Sequence, residues 1–302
     1  MSDDELSFDR SSPAPSGEMR RVSPLVRRMI APNKGPFTFT GTCTYVVGVG
    51  RVALIDPGPD LVDHVDALLG ALSGETIEHV LVTHTHRDHS PAARLVRERT
   101  GAKIVGCARH IPIADAPSGR LDASHDLDHV PDQEMQDGDM VSGDGFALTA
   151  VATPGHASNH LCFALREENA LFTGDHVMGW STSVVSPPDG NMSAYMASLD
   201  KLRARDDALY WPAHGGPVRE PHRYVRGLAT HRRQRETAIL QRIAAGDDTI
   251  AAIVAKIYVG LDPRLTGGAS LSVLAHLEDL VARGAVRSSN EAATLTSIYR
   301  LG

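Results

Sequence analysis

Apolar and β-branched residues cluster over Thr42 to Ile55 (TCTYVVGVGRVALI) around Gly48-Val49-Gly50, which predicts two strands joined by a tight glycine-assisted turn. Asp56-Pro57-Gly58 stops the second strand, and Leu61 to Ser73 then carries Leu61, Val65, Leu68, Leu69 and Leu72 at helical spacing. The pattern repeats at once. His79 to Val82 reads as a short buried strand, a loop runs to Ser90, and a helix from Pro91 to Arg99 opens on a proline, which the first helical position tolerates. Lys103 to Gly106 is the next strand, and alternation of strand and helix predicts sheets covered by helices.

From about Asp137 the texture changes to strands without intervening helices: Phe146 to Ala152, His160 to Leu165 and Ala170 to Thr173. A helix over Met192 to Ala204 and a strand over Ala208 to Trp211 follow. Helices outside and two sheets stacked inside account for this order, an αββα sandwich of the mixed α/β (α+β) class. Gly119 to Asp139, rich in acidic residues, reads as a long surface loop or flap. From Arg219 the chain turns helical: a long arginine-rich helix to Ala244, amphipathic helices over Thr249 to Tyr258 and Ala269 to Arg283, then a small hairpin from Gly284 to about Arg300. That is the outline of a winged-helix domain. The expected organisation is a disordered Ser/Pro-rich leader over 1–21, a catalytic domain over 22–218 and a winged-helix domain over 219–302, with no internal repeat.

At 302 residues the chain can bury a full core, and no apolar run reaches bilayer-spanning length. A net charge of −7 argues against a surface dedicated to phosphate backbones, although a local basic groove remains compatible with it. Cys43, Cys107 and Cys162 are scattered and odd in number, and read as reduced thiols. The leader lacks the charged-then-apolar layout of an export signal, so a cytoplasmic protein without a membrane partner is expected.

The chemistry is concentrated in Thr83-His84-Thr85-His86-Arg87-Asp88-His89, on a loop between strand and helix. In an extended segment residues two apart share a side, so His84 and His86 can grip one ion while Asp88 continues that side. The turn into the helix swings His89 toward a second. With 15 histidines in the chain, three His and one Asp at this spacing arise by chance in roughly one chain in several hundred. Imidazole with carboxylate and no thiolate suits zinc and tolerates iron or manganese. Three further loops put His156, Asp175 and His214 just past strand ends beside small residues: Thr153-Pro154-Gly155-His156, Thr173-Gly174-Asp175 and Pro212-Ala213-His214-Gly215-Gly216. One histidine after a strand is weak evidence; four such loops in one chain are not. His64, His79, His110, His125 and His129 show no ligand pattern.

His-x-His-x-Asp-His followed by a His, an Asp and a His at strand ends resembles the metallo-β-lactamase superfamily in its glyoxalase II-like arrangement. By that resemblance His84, His86 and His156 hold one divalent ion, Asp88, His89 and His214 a second, and Asp175 bridges them. Asp56 then matches the aspartate that orients a ligating histidine through its other nitrogen. Val26-Arg27-Arg28, Ala31-Pro32-Asn33, Gly35-Pro36-Phe37, Gly41 to Tyr45 and the tail around His231-Arg232 and Arg235-Glu236 are similar to the branch containing the mitochondrial β-lactamase-like endoribonuclease, whose members carry a C-terminal winged helix. Cys43 stands where that branch usually has Asn, which puts in doubt any substrate contact inferred there, since thiol and amide differ as hydrogen-bonding groups.

Two such cations, most simply zinc, activate water for attack at a carbonyl carbon or a phosphorus. Asp88 is the candidate catalytic proton shuttle, and His160, near the presumed mouth, a candidate substrate contact. Three functions stay open: hydrolysis of small esters or thioesters, cleavage of single-stranded RNA, and winged-helix binding or assembly with a vestigial metal site. The arginines of the long helix ring it instead of forming one face, and Ala269 to Arg283 is apolar and mildly acidic. Capping the site edge or forming a homodimer therefore suits the winged helix better than nucleic-acid reading. β-Lactam hydrolysis ranks low without an export signal.

Overall fold

The computed structural model describes residues 6–11, 14–112 and 125–302. Its larger sheet has seven strands in sequence order: β1 (Arg20–Arg21), β2 (Val26–Ile30), β3 (Cys43–Val47), β4 (Arg51–Ile55), β5 (Thr76–Val82), β6 (Lys103–Gly106) and β7 (Gln133–Glu134). Pairing is antiparallel from β1 to β4 and parallel from β4 to β7. Parallel neighbours need crossovers, which α1 (Val62–Ala71) supplies from β4 to β5 and α2 (Ala92–Thr100) from β5 to β6. The second sheet is built from β8 (Met140–Gly143), β9 (Phe146–Ala152), β10 (Leu161–Leu165), β11 (Ala170–Gly174) and β12 (Leu209–Pro212), in the spatial order β12-β11-β10-β9-β8.

Between the sheets lies a core that joins Tyr45, Leu54, Val80, Phe163, Phe172 and Trp211, and it continues to Val65, Leu68 and Val96 of the two crossover helices. Tyr45 sits 5.1 Å from Phe172 and 6.0 Å from Trp211 by ring centroid, so one aromatic side chain pins the two sheets together. On the outer face of the second sheet, Val151, Cys162, Leu171 and Tyr210 pack against Tyr195 and Leu199 of α3 (Met192–Arg203) and Val225 and Leu228 of α4 (Pro221–Ala244). The layers are helix, sheet, sheet, helix, the sandwich expected.

α4 spans about 36 Å at 1.5 Å per residue. Its first half belongs to that outer layer, while Ile239 and Ile243 enter a third core with Ile253 of α5 (Ile250–Ile257), Leu277 and Leu280 of α6 (Thr266–Ala282), and Val286 and Tyr299 of the hairpin β13 (Val286–Ser288) and β14 (Tyr299–Leu301). Three helices and a wing form the winged helix, docked through a helix it shares with the sandwich. No helix among the described residues is long and apolar enough to cross a membrane.

Three local differences have physical causes. The leader is held where it is described: Ala14 is buried in the main core, Gly17 N–H donates to Ile30 O at 2.9 Å, and β1 pairs with β2. A polar composition concealed this because the partner is a sheet edge supplied by later residues. β2 itself escaped pattern reading because Arg27 and Arg28 interrupt it; Arg27 is tied to Glu75 at 2.6 Å and Arg28 is buried. Part of the expected flap, 119–124, lies outside the described residues, and the rest contributes β7.

Candidate metal centre

Every expected ligand leaves the end of a strand at one edge of the sandwich. The loop after β5 carries His84, His86, Asp88 and His89; those after β9, β11 and β12 carry His156, Asp175 and His214. Close approach of these loops demands glycine. A Cβ on Gly174 (φ +48°) would stand 2.6 Å from His160 Nε2 and 2.8 Å from Thr83 Oγ1, and one on Gly155 would strike the Tyr195 backbone at 2.3 Å.

The seven side chains converge. His86 Nδ1 lies 2.9 Å from His84 Nε2 and 3.0 Å from His156 Nε2, and His156 Nε2 is 3.6 Å from Asp175 Oδ2. Beside this group, Asp88 Oδ2 lies 3.3 Å from His89 Nε2 and 3.1 Å from His214 Nε2, with Asp175 Oδ1 at 3.3 Å from His214 Nε2. Ligand atoms on a zinc tetrahedron with bonds of about 2.0–2.1 Å stand about 3.3 Å apart, so these spacings fit the edges of such polyhedra. Within the two groups, His84-His86-His156 and Asp88-His89-His214 each bring three ligand atoms within 4.8 Å of one another. Asp175 has an oxygen toward each. His89 Nε2 and Asp175 Oδ1 are buried without a hydrogen-bond partner, a costly arrangement unless a cation satisfies both.

Behind the ligands the hydrogen bonding is one-directional. Asp56 accepts from Thr83 N–H (2.8 Å), from the Thr83 hydroxyl (2.8 Å) and from His89 Nδ1 (3.0 Å). With its proton given to Asp56, Thr83 Oγ1 can only accept from His84 Nδ1–H at 3.0 Å. His156 Nδ1 donates to Val184 O at 2.6 Å. For all three histidines this network assigns the outer nitrogen as the donor, turning Nε2 to the pocket.

Electrostatics divide the imidazoles. Burial, reinforced by positive charge on neighbouring histidines, holds His84 and His86 well below the usual histidine range. For His214, burial opposes the charged form, but Asp175 and Asp88 outweigh it and push its pKa up to about 10; the same carboxylates with Asp56 raise His89. Burial would raise Asp88 and Asp175, yet the facing histidines hold both well below the carboxylate range. The pocket therefore calls for positive charge between Asp88 and Asp175, which two protons or a divalent cation can supply, the cation displacing the protons.

This geometry agrees with the comparisons. Residues 37–214 match the metallo-β-lactamase superfamily model, and residues 249–293 match the β-lactamase associated winged helix domain. The chain belongs to the metallo-β-lactamase superfamily. It is 34% identical over 257 residues to an atrochrysone carboxyl ACP thioesterase of Paecilomyces divaricatus, covering 83% of this chain and 76% of that protein. A β-lactamase-like protein 2 homolog of Caenorhabditis elegans is 32% identical over 227 residues, covering 74% and 72%. In fold, a β-lactamase domain protein from Burkholderia ambifaria superposes with TM-score 0.79 at 20% identity, covering 98% of this chain and 97% of that one. A metallo-β-lactamase family protein from Thermus thermophilus gives 0.76 at 22% identity, covering 93% and 100%. This superfamily member is a metallo-hydrolase with His/Asp clusters able to bind metal ions.

The one expected substrate contact sits elsewhere than the mouth. His160 is 1% exposed and lies beneath Asp175: its Nδ1 meets Thr153 Oγ1 at 2.9 Å, and its Nε2 accepts from Asp175 N–H at 3.2 Å. Both nitrogens being engaged, it is placed to position the Asp175 backbone and not to touch substrate. Cys43 is fully buried, with its N–H donating to Ala213 O at 2.7 Å, and burial pushes its thiol pKa up. Pattern reading passed over His110 and His125, which the fold brings to Asp189 at the rim. A long-range convergence of that kind leaves no spacing signal in the chain.

Proposed function

We propose that the chain is a binuclear metal-dependent hydrolase of thioesters and small esters, with zinc preferred over iron or manganese. His84, His86 and His156 hold one ion, Asp88, His89 and His214 the other, and Asp175 bridges them. The observation that carries this reading is the convergence of seven side chains, with His89 Nε2 and Asp175 Oδ1 buried and without a hydrogen-bond partner. Two ions there supply Lewis-acid polarisation and a water of near-neutral pKa.

The polypeptide supplies the rest. Asp56 and Thr83 hold the His84 and His89 tautomers, and Val184 O fixes His156. Asp88 has the most exposed side chain of the carboxylates that line the centre, at 21%, which suits it to accept a proton and pass it to the leaving group. The relative from Paecilomyces divaricatus is named for a carrier-protein thioester, and this supports a thioester as the substrate class here.

At least four of the six arginines of α4 are engaged within the molecule, which favours the thioester over RNA. Arg223 pairs with Glu220 and Arg242 with Asp247, Arg235 stacks over Tyr258 at 5.0 Å, and Arg232 is buried over Tyr195. Arginines engaged inside the molecule make a poor phosphate track.

The test is metal analysis of purified protein beside a screen of acyl thioesters, nitrophenyl esters, phosphodiesters and labelled RNA. At least two ions per chain and thioester turnover are expected. Asp175→Ala should lose bound metal and turnover together, and full retention of both by that variant would remove the bridging assignment. RNA cleavage without thioester turnover would overturn the substrate class.

A further inference from the structure

Outside the seven-ligand centre, three side chains from separate segments meet at its rim. His110 follows β6, His125 forms an isolated backbone bridge with His86, and Asp189 precedes α3. Their ligand atoms lie within 4.8 Å of one another: Asp189 Oδ1 is 3.7 Å from His110 Nδ1, and Asp189 Oδ2 is 3.3 Å from His125 Nε2. We propose that His110, His125 and Asp189 form a third divalent-cation site, separate from the binuclear centre and sharing no ligand with it.

The outer contacts are those of ligating groups. His125 Nδ1 is engaged by Thr85 Oγ1 at 2.9 Å, which leaves Nε2 for Asp189 and an ion. Asp189 is held from behind by the Ser158 hydroxyl at 2.5 Å and the Ser158 N–H at 3.0 Å. Outer-shell bonds of this sort orient imidazole and carboxylate ligands. The three side chains are 10–14% exposed, recessed enough to hold an ion and open enough to exchange it.

Two imidazoles with one carboxylate suit a borderline divalent ion such as zinc, manganese, iron or cobalt, and leave coordination positions for water or an anionic group of a substrate. The rings of His110 and His125 stack at 3.6 Å with 2° between planes, so their nitrogen lone pairs lie in parallel planes and do not converge on one point between the rings. Joint ligation needs one ring to turn about χ2, a soft torsion for histidine. His125 is fixed by Thr85, whereas the Asp189 contact of His110 is longer, at 3.7 Å, so His110 is the ring that turns more readily. The His125 ring is 4.7 Å from that of His86, which puts the added charge beside the pocket, where it would favour an anionic ligand.

Full-length protein is titrated with zinc and read by native mass spectrometry, with circular dichroism as the fold control. Wild type should take up three ions, while His110→Ala and Asp189→Ala should each stop at two with unchanged spectra. A crystal of the zinc-loaded protein should show an anomalous peak between these three side chains. His214→Ala should lower the count at the main centre and keep the rim ion, so failure of the binuclear reading is separable from failure of this one. A wild type that saturates at two ions, or a third ion surviving in both rim variants, overturns the proposal and leaves a hydrogen-bonded His–Asp cluster.

Discussion

Asp56→Asn is the sharpest perturbation of the supporting network. Asp56 is 2% exposed and accepts three hydrogen bonds, from Thr83 N–H, the Thr83 hydroxyl and His89 Nδ1. Its backbone has φ +50°, a region asparagine tolerates, so the exchange is nearly isosteric and leaves the turn intact. An amide, however, has one acceptor oxygen and an NH2 that only donates. With the oxygen kept on Thr83 N–H, the NH2 faces His89 Nδ1 and the Thr83 hydroxyl. His89 must then carry its proton on Nε2, where an ion should bind, and the hydroxyl turns toward His84 and asks its Nδ1 to accept. Flipping the amide instead sets NH2 against Thr83 N–H. One substitution thus works against the binding tautomers of two ligands. Loss of such outer-shell partners typically costs 10–100-fold in metal affinity, about 1.4–2.8 kcal/mol. The assay is a zinc competition titration against a chromophoric chelator, with kcat/KM on a thioester measured at saturating zinc. Thr83→Val is the companion: it keeps the Asp56–His89 bond and should weaken only the ion held by His84. Zinc affinity within twofold of wild type in Asp56→Asn would refute the tautomer argument.

Three further outcomes are expected. Chelation should lower the melting temperature, because ions that bind only the folded state add about 2.7 kcal/mol at a hundredfold excess over Kd; an unchanged melting curve would count against metal-coupled stability. Leu277→Ala, at a fully buried position in the winged-helix core, should cost about 2–5 kcal/mol in denaturant unfolding, and a loss under 1 kcal/mol would mean that core carries little. Burial raises Glu278 to about 7. The stability linked to its neutral form is present below its unfolded pKa and fades as pH rises through about 7. Glu278→Gln should therefore match wild type near pH 4 and exceed it above pH 8, by about 1 kcal/mol after discounting for partial exposure. A difference independent of pH would show that charge is not the cause.

The ligand loops were legible because the chemistry forces a local signature. A side chain that must reach a shared ion from a strand end needs small neighbours, and Pro154-Gly155, Gly174 and Gly215-Gly216 are written beside His156, Asp175 and His214 for that reason. The sandwich was legible for a related reason, since strands covered on both faces become short apolar runs between helices. What escaped notice depends on partners remote in the chain. β2 reads as polar until Glu75 is found opposite Arg27, and His160 looks like a substrate contact until Thr153 and the Asp175 N–H occupy both its nitrogens. The arginines of α4 show the same dependence: their spacing around the helix says only that they cannot form one basic face, while Arg232 finds Tyr195 on α3, Arg235 finds Tyr258 just past α5 and Arg242 finds Asp247 in the turn after α4. Among these, Arg232 donates to Ser183 O, one residue from the Val184 carbonyl that holds His156. Through that contact the helix shared with the winged helix braces a loop of the metal centre, a physical reason for the two domains to occur together that does not require the winged helix to read nucleic acid.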